Sequence, residues 1–263
     1  MKILVVNDDG VSSPGLIALA SALRALGEVT VVAPDRDRSG VGHSISIAHP
    51  IEITRVEGRD VPTYACSGTP ADCVVLGAFE FCDGAPDLVV SGINRGANLA
   101  DDISYSGTVA AAVEGVLLGA NAIAVSLAAT WPESSPTHYW DVAAAIACEQ
   151  VDAIQRVSLE PGVFLNINVP NVAPHALRGI KYTRQGRKRY SDRVSKSIDE
   201  GRVLYAWVWG THDARENGPD CDIIAVDDGY ASITPLRVDR TADVTLARLR
   251  AESPRKTRML PEK

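Results

Sequence analysis

Four short stretches carry residues whose types and spacing suit chemistry. Asp8 and Asp9 stand side by side directly after the apolar run Ile3-Leu4-Val5-Val6. Adjacent carboxylates at a strand exit repel each other unless a cation or hydrogen-bond donors compensate them, and a divalent metal is the simplest compensation. The plainer alternative is that one Asp caps the turn before Gly10 and the other is solvated. The loop Asp35-Arg36-Asp37-Arg38-Ser39-Gly40-Val41-Gly42-His43-Ser44 mixes glycines, hydroxyls and arginines. Its backbone amides could approach a phosphate closely and Ser39 could give a metal an oxygen, although a solvated turn with Arg–Asp pairs would read the same way. Ser91-Gly92-Ile93-Asn94-Arg95-Gly96-Ala97-Asn98 offers Asn94 as a neutral oxygen ligand. Ser104-Tyr105-Ser106-Gly107-Thr108 opens a helix, and its free N–H groups and hydroxyls make an anion site where a plain N-cap would need one hydroxyl.

These stretches are placed by elements that the hydrophobic pattern predicts. Residues 3–6, Val29–Ala33, Leu88–Val90, Ala122–Leu127 and Phe164–Val169 read as short buried strands. Helical periodicity covers Leu16 to Leu26, Gly107 to about Leu118 and His138 to Arg156, and Thr69-Pro70-Ala71-Asp72 starts a helix running to about Phe81. Alternating strands and helices predict an α/β fold: a Rossmann-like, doubly wound, mostly parallel sheet in three αβα layers. In such a sheet the ligand site lies beyond the carboxyl ends of the strands, where the four stretches fall. After Pro170 the pattern loosens. Gly179–Thr183 and Val203–Trp209 read as strands flanking a polar, basic stretch without clear periodicity, a hairpin-like excursion in which Arg184 to Arg189 is expected to be a solvated tip. Trp207 and Trp209 would share one strand face. Tyr230–Leu236 is an alternating strand returning to the core, and Ala242–Leu249 an amphipathic tail helix. The organisation expected is therefore a catalytic core over 1–178 and a segment over 179–263 holding the hairpin, the returning strand and the tail, all within one structural domain.

Bulk properties exclude several classes. The 263 residues are 46% hydrophobic and 22% charged, which is ordinary globular usage and argues against disorder. A net charge of −7 disfavours broad nucleic-acid binding. The five cysteines lack C-x-x-C spacing and read as buried free thiols. The apolar run after Met1-Lys2 is too short for a signal sequence, so the expectation is a cytoplasmic protein without a membrane segment.

Six motifs together resemble one family. They are Asn7-Asp8-Asp9-Gly10; Ala33-Pro34-Asp35-Arg36 with Arg38-Ser39-Gly40; Gly68-Thr69-Pro70-Ala71-Asp72-Cys73; Ser91-Gly92-Ile93-Asn94; Tyr105-Ser106-Gly107-Thr108; and Gly229-Tyr230 with Ser232-Ile233-Thr234-Pro235-Leu236. The chain is similar in these to the SurE (survival protein E) nucleotidases, from Met1 to about Leu236. The resemblance implies release of phosphate from nucleoside 5′- and 3′-monophosphates, with short polyphosphate a further candidate substrate. It implies one divalent cation per subunit, Mg²⁺ or Mn²⁺, held by Asp8, Asp9, Ser39 and Asn94, with Asp8, Asp9 and Asn94 serving catalysis. Asn7, Gly40, Asn98, Ser106, Gly107 and Thr108 would contact the phosphate while metal-activated water attacks phosphorus in line. It also implies a homodimer or homotetramer in which the segment after Pro170 and the tail pass between subunits. Val6, Ser13 and His43 depart from the usual family residues, and none is a proposed ligand. No residue stands out as general acid; His43 is one candidate, a water or substrate-assisted path the other. Two rival readings are weighed on residues. An aspartyl-phosphate-forming phosphatase wants Asp-x-Asp, and a receiver-like Mg²⁺-binding module wants an Asp where Asn94 stands. A dinucleotide oxidoreductase would need the glycine fingerprint that the loop after the first strand lacks.

Overall fold

The apolar run at the N-terminus becomes the centre of a nine-stranded sheet. Ile3 to Val6 are fully buried in strand β1 (Lys2–Val6), as a parallel strand covered on both faces requires. The computed structural model describes residues 1–129, 137–190, 193–199, 202–208, 212–213 and 218–252. Along the chain follow α1 (Pro14–Leu23), β2 (Glu28–Pro34), β3 (Ile53–Arg55), β4 (Thr63–Cys66), α2 (Pro70–Leu76) and β5 (Leu88–Arg95). Then come α3 (Gly107–Leu117), β6 (Asn121–Ala128), α4 (Trp140–Arg156), β7 (Val163–Pro170) and β8 (Ile180–Tyr182). The remainder comprises β9 (Arg189–Tyr190), β10 (Arg193–Asp199), β11 (Arg202–Val208), β12 (His212–Asp213), α5 (Asp222–Asp227), β13 (Ala231–Arg237) and α6 (Asp243–Glu252).

The sheet order is β3-β4-β2-β1-β5-β6-β7-β13-β8. From β4 to β7 all neighbours are parallel, whereas β3 and β13 pair antiparallel with β4 and β7. One face carries α1 and α4, whose Leu16, Leu19, Val142 and Ile146 pack with Val5, Val90 and Ile167. The other carries α2 and α3, whose Cys73, Val74, Val109 and Ala112 pack with Leu4, Val32 and Val89. The expected three-layer, doubly wound fold is therefore present. Strand order reverses between β1 and β5, so the crevice past their ends is the switch point at which such folds bind ligands.

Several expectations need correction. The strand at Leu88 does not stop at Val90: β5 runs to Arg95 through a register shift against β6 between Ser91 and Asn94. Gly92 permits this, since its φ is +136° and a Cβ there would lie 2.3 Å from the Val125 carbonyl oxygen. The helix from Pro70 does reach Phe81, but its last five residues widen into a π-helical turn. Of Val203–Trp209, the residues to Val208 do join a hairpin, yet its other strand is β10, within the stretch expected to be irregular, and Gly179–Thr183 supplies β8 at the edge of the core sheet. Arg184 to Lys188 is no hairpin tip: Arg184 and Arg187 are exposed, but Gln185 Nε2 donates to the Ala100 carbonyl at 3.0 Å, and the Lys188 ammonium, its side chain 8% exposed, pairs with Asp102 at 2.5 Å. The tail helix α6 buries no residue. Trp209 lies outside the described residues.

Candidate active site

Beyond β1 and β5 an open cleft of about 300 Å³ is lined by Asp8, Ser39, Gly40, Asn94, Asn98 and Ser106, among others. The fold thus brings residues from four separated stretches to one place. Asp8, Ser39 and Asn94 in this cleft, and Asp9 beside it, each keep an oxygen beyond the hydrogen bond that tethers the side chain. Asp8, 4% exposed, accepts the Thr108 hydroxyl on Oδ1 at 2.5 Å, leaving Oδ2. Asp9 accepts the Arg95 N–H on Oδ2 at 3.0 Å, leaving Oδ1. Ser39 donates its hydroxyl to Asp37 at 2.6 Å, so its lone pairs can still accept. Asn94 donates its amide nitrogen to the Gly96 carbonyl at 2.9 Å, which leaves Oδ1 as its acceptor end.

The two carboxylates are electrostatically unsettled. Burial pushes the Asp8 carboxyl up to about 6; the Thr108 hydrogen bond opposes this and the neighbouring Asp9 charge adds to it. Burial likewise raises Asp9, against the Arg95 N–H that lowers it. Asp8 packs against the start of α3, where a Cβ on Gly107 would come within 2.8 Å of the Asp8 side chain, so only glycine fits there. Ser106 is the N-cap of α3 and takes the Val109 N–H at 3.0 Å.

Asp9 sits at a second, adjoining cleft of about 250 Å³ with Ser13, Asp37, Arg95, His138 and Trp140. Two residues expected at the phosphate are placed otherwise. Asn7 is fully buried outside the cleft lining, its amide nitrogen closing the turn onto the Gly10 carbonyl at 3.0 Å. Thr108 is also fully buried, and a hydroxyl has a single proton, which it gives to Asp8. His43 is absent from the cleft lining; its Nε2 lies 2.8 Å from the Glu114 carboxylate on α3. Among the described residues no group of three or more His, Cys, Asp or Glu side chains is arranged to hold a metal.

The family model described as Survival protein SurE matches residues 3–192. The chain belongs to the SurE family. A protein of Serratia proteamaculans (strain 568) named 5′/3′-nucleotidase SurE is 47% identical over 243 residues, 92% of each chain. One of Klebsiella pneumoniae (strain 342) with the same name is 46% identical with the same coverage. The crystal structure of the SurE protein from Aquifex aeolicus is 40% identical, covers 96% of this chain and 100% of its own, and has a TM-score of 0.81.

Inside this SurE fold, sequence reading overlooked a buried polar band behind the cleft. Asn98 N–H donates to Asn168 Oδ1 at 2.8 Å, and the Asn98 carbonyl accepts the amide nitrogens of Asn166 and Asn168 at 2.9 and 3.0 Å. The available signal was two asparagines at period two in the otherwise apolar run Phe164–Val169.

Proposed function

We propose that this chain is a divalent-metal-dependent nucleotidase that hydrolyses nucleoside 5′- and 3′-monophosphates to nucleoside and phosphate. One observation carries the reading: Asp8, Ser39 and Asn94 share a cleft with the N-cap of α3, and each holds an oxygen not used by its own tether. The relatives named 5′/3′-nucleotidase support the same substrate class.

Asp8, Asp9, Ser39 and Asn94 would hold the cation. Two anionic and two neutral oxygens, without sulfur or imidazole, suit a hard ion such as Mg²⁺ or Mn²⁺ better than zinc. When bound, the cation supplies Lewis-acid polarisation of a phosphoryl oxygen and acidification of a water. Thr108 fixes the rotamer of Asp8 and takes no phosphate oxygen itself. The phosphate would lie between the backbone of Gly40, the amide of Asn98 and the helix start at Ser106 and Gly107, where unsatisfied N–H groups and the helix dipole favour an anion. Donors fixed in advance at that end of α3 also stabilise charge developing on the equatorial oxygens. His43, paired to Glu114, is not placed to protonate the leaving ribose oxygen, so this proton comes through water or the substrate.

In the same reading the hairpin β10–β11 and the exposed α6 serve assembly into a dimer or tetramer, and no described helix is long and apolar enough to cross a membrane. The test is phosphate release from 5′-AMP, 3′-AMP and 5′-GMP with Mn²⁺, Mg²⁺ or EDTA. Release that disappears both in EDTA and in Asp8→Asn is the expected result, and release indifferent to metal would overturn the metal assignment.

A further inference from the structure

Strand β7 has two unlike faces. Leu165, Ile167 and Val169 point into the main core. The alternate positions Asn166 and Asn168 are fully buried and polar. A strand buried on both faces ordinarily places apolar residues at every position, because each buried amide must be supplied with partners. The register shows these residues to belong to two polar rungs that cross the sheet. Asn94, Ser126, Asn168 and Ser232 stand in line on β5, β6, β7 and β13, and Asn166 stands opposite Thr234 one step away. Thr183 closes the band, its hydroxyl 2.7 Å from Ser232 Oγ and 2.8 Å from Thr234 Oγ1.

At the cleft side the band converges on one residue. Both β7 amides donate to the Asn98 carbonyl, Asn168 Oδ1 also takes the Asn98 N–H, and Ser126 Oγ takes the Asn98 side-chain nitrogen at 2.8 Å. Asn98 is thereby held by backbone and side chain alike, while its 7% exposed surface lines the cleft. The arrangement is not optimised for stability, because Asn166 Oδ1 is buried with no hydrogen-bond partner among the described residues. A residue retained for packing alone would be better served by an apolar side chain.

We infer that Asn166 and Asn168 are positioning residues, which with Ser126 set the orientation of Asn98 toward the phosphate of the substrate. This rests on the nucleotidase reading, in which Asn98 contacts that phosphate. Since displacing a binding group by about 1 Å can cost up to a hundredfold in rate, the loss on removing Asn168 is expected to lie between about tenfold and a hundredfold.

A double-mutant cycle on the full chain separates positioning from a general structural role. kcat/KM for a nucleoside 5′-monophosphate and the affinity for inorganic phosphate, titrated calorimetrically with Mn²⁺ present, are measured for wild type, Asn98→Ala, Asn168→Ala and the double variant. Asn168→Ala is expected to weaken both quantities in the wild-type background and to change neither further in the Asn98→Ala background. Equal losses in both backgrounds, or an Asn98→Ala protein that binds phosphate like wild type, would overturn the inference. Should Asn168→Ala not fold, Ser126→Ala removes the side-chain acceptor at little cost in volume and must show the same background dependence. The phosphate titration reads Asn98 without turnover. An inactive wild type that binds phosphate with this coupling would therefore sink the nucleotidase reading and keep the positioning one.

Discussion

Asp8 and Asp72 are nearly equally covered from solvent, 4% and 6% exposed, and each lies at the start of a helix, yet they are treated oppositely. Burial pushes Asp72 up, but hydrogen bonds from Ser46 and Thr69 together outweigh it and leave the carboxyl lowered. Its oxygens take the Ser46 N–H at 3.0 Å, the Ser46 hydroxyl at 2.7 Å and the Thr69 N–H at 2.8 Å, within a full capping box. At Asp8 burial, helped by the neighbouring Asp9 charge, outweighs the Thr108 hydroxyl and the backbone N–H groups of Asp8 and Thr108, and the carboxyl rises to about 6. Low exposure alone therefore does not make a carboxylate structural or functional. The difference lies in how completely the carboxyl is enclosed by protein and in how many donors reach it, and a deeply enclosed acid short of donors is one that an incoming cation can complete.

The widest separation between the two should follow from neutralising Asp8. Asp8→Asn is expected to lower kcat/KM for a nucleoside monophosphate by at least about 10³-fold, roughly 4 kcal/mol of barrier, because it removes one of the two anionic ligands. The same change should stabilise the metal-free protein. With a folded pKa near 6 and an ordinary value of 3.8, Asp8 contributes stability that is fully present below about pH 4 and lost as pH rises through about 6. That difference is worth at most about 3 kcal/mol, so in EDTA the variant should have the higher urea midpoint at pH 7.5 and a flatter pH dependence. If both proteins melt alike across pH 4 to 7.5, the strain assigned to Asp8 is not there.

Metal should close most or all of this gap. At a hundredfold excess over its Kd, Mn²⁺ is expected to raise wild-type stability by about 2.7 kcal/mol and to leave Asp8→Asn unmoved, which thermal melts with and without the ion will show. Asp72 gives the contrasting result. Asp72→Ala should cost about 1–2 kcal/mol through the lost cap and charge-assisted bonds, and Mn²⁺ should stabilise that variant as much as wild type. A Mn²⁺ response diminished by Asp72→Ala would erase the distinction between the two acids.

How much of this was legible follows from how local each signal is. The parallel strands were readable because burial on both faces demands runs such as Ile3–Val6, and the helices because their apolar periods are long. The short strands β3 and β4 were not, since three or four residues such as Ile53-Thr54-Arg55 carry too little pattern. The far half of β5 was hidden by Gly92, which reads as a loop residue until β6 is seen to lie against it. At the site, the residues proposed to hold a cation stand just past β1 and β2 and at the far end of β5, so topology pointed to them. The tethers of those residues were hidden, because Thr108 and Asp8 are a hundred residues apart and Asn98 and Asn168 seventy. The error over Arg184–Lys188 has the same origin: a run of cations reads as a free tip until Asp101, Asp102 and Asp222 are found against the Gly186 and Lys188 N–H groups and the Lys188 ammonium.

The smallest effect is expected at His43, and it bears on the same contrast between a side chain spent within the fold and one left over. His43 Nε2 meets the Glu114 carboxylate at 2.8 Å on a pair whose side chains are 36% and 15% exposed. Partly solvated pairs of this kind contribute at most about 1 kcal/mol. The imidazole is occupied there and does not line the cleft, so His43→Ala should keep kcat/KM within about twofold of wild type and leave its pH profile unaltered, with only a slight fall in melting temperature. A general acid would behave otherwise. Its removal would cost 10²-fold or more and erase one limb of the kcat/KM profile. A loss of that size in His43→Ala would mean that the loop carrying Ser39 and Gly40 swings His43 into the cleft during turnover, and that the pairing with Glu114 belongs to the resting enzyme alone.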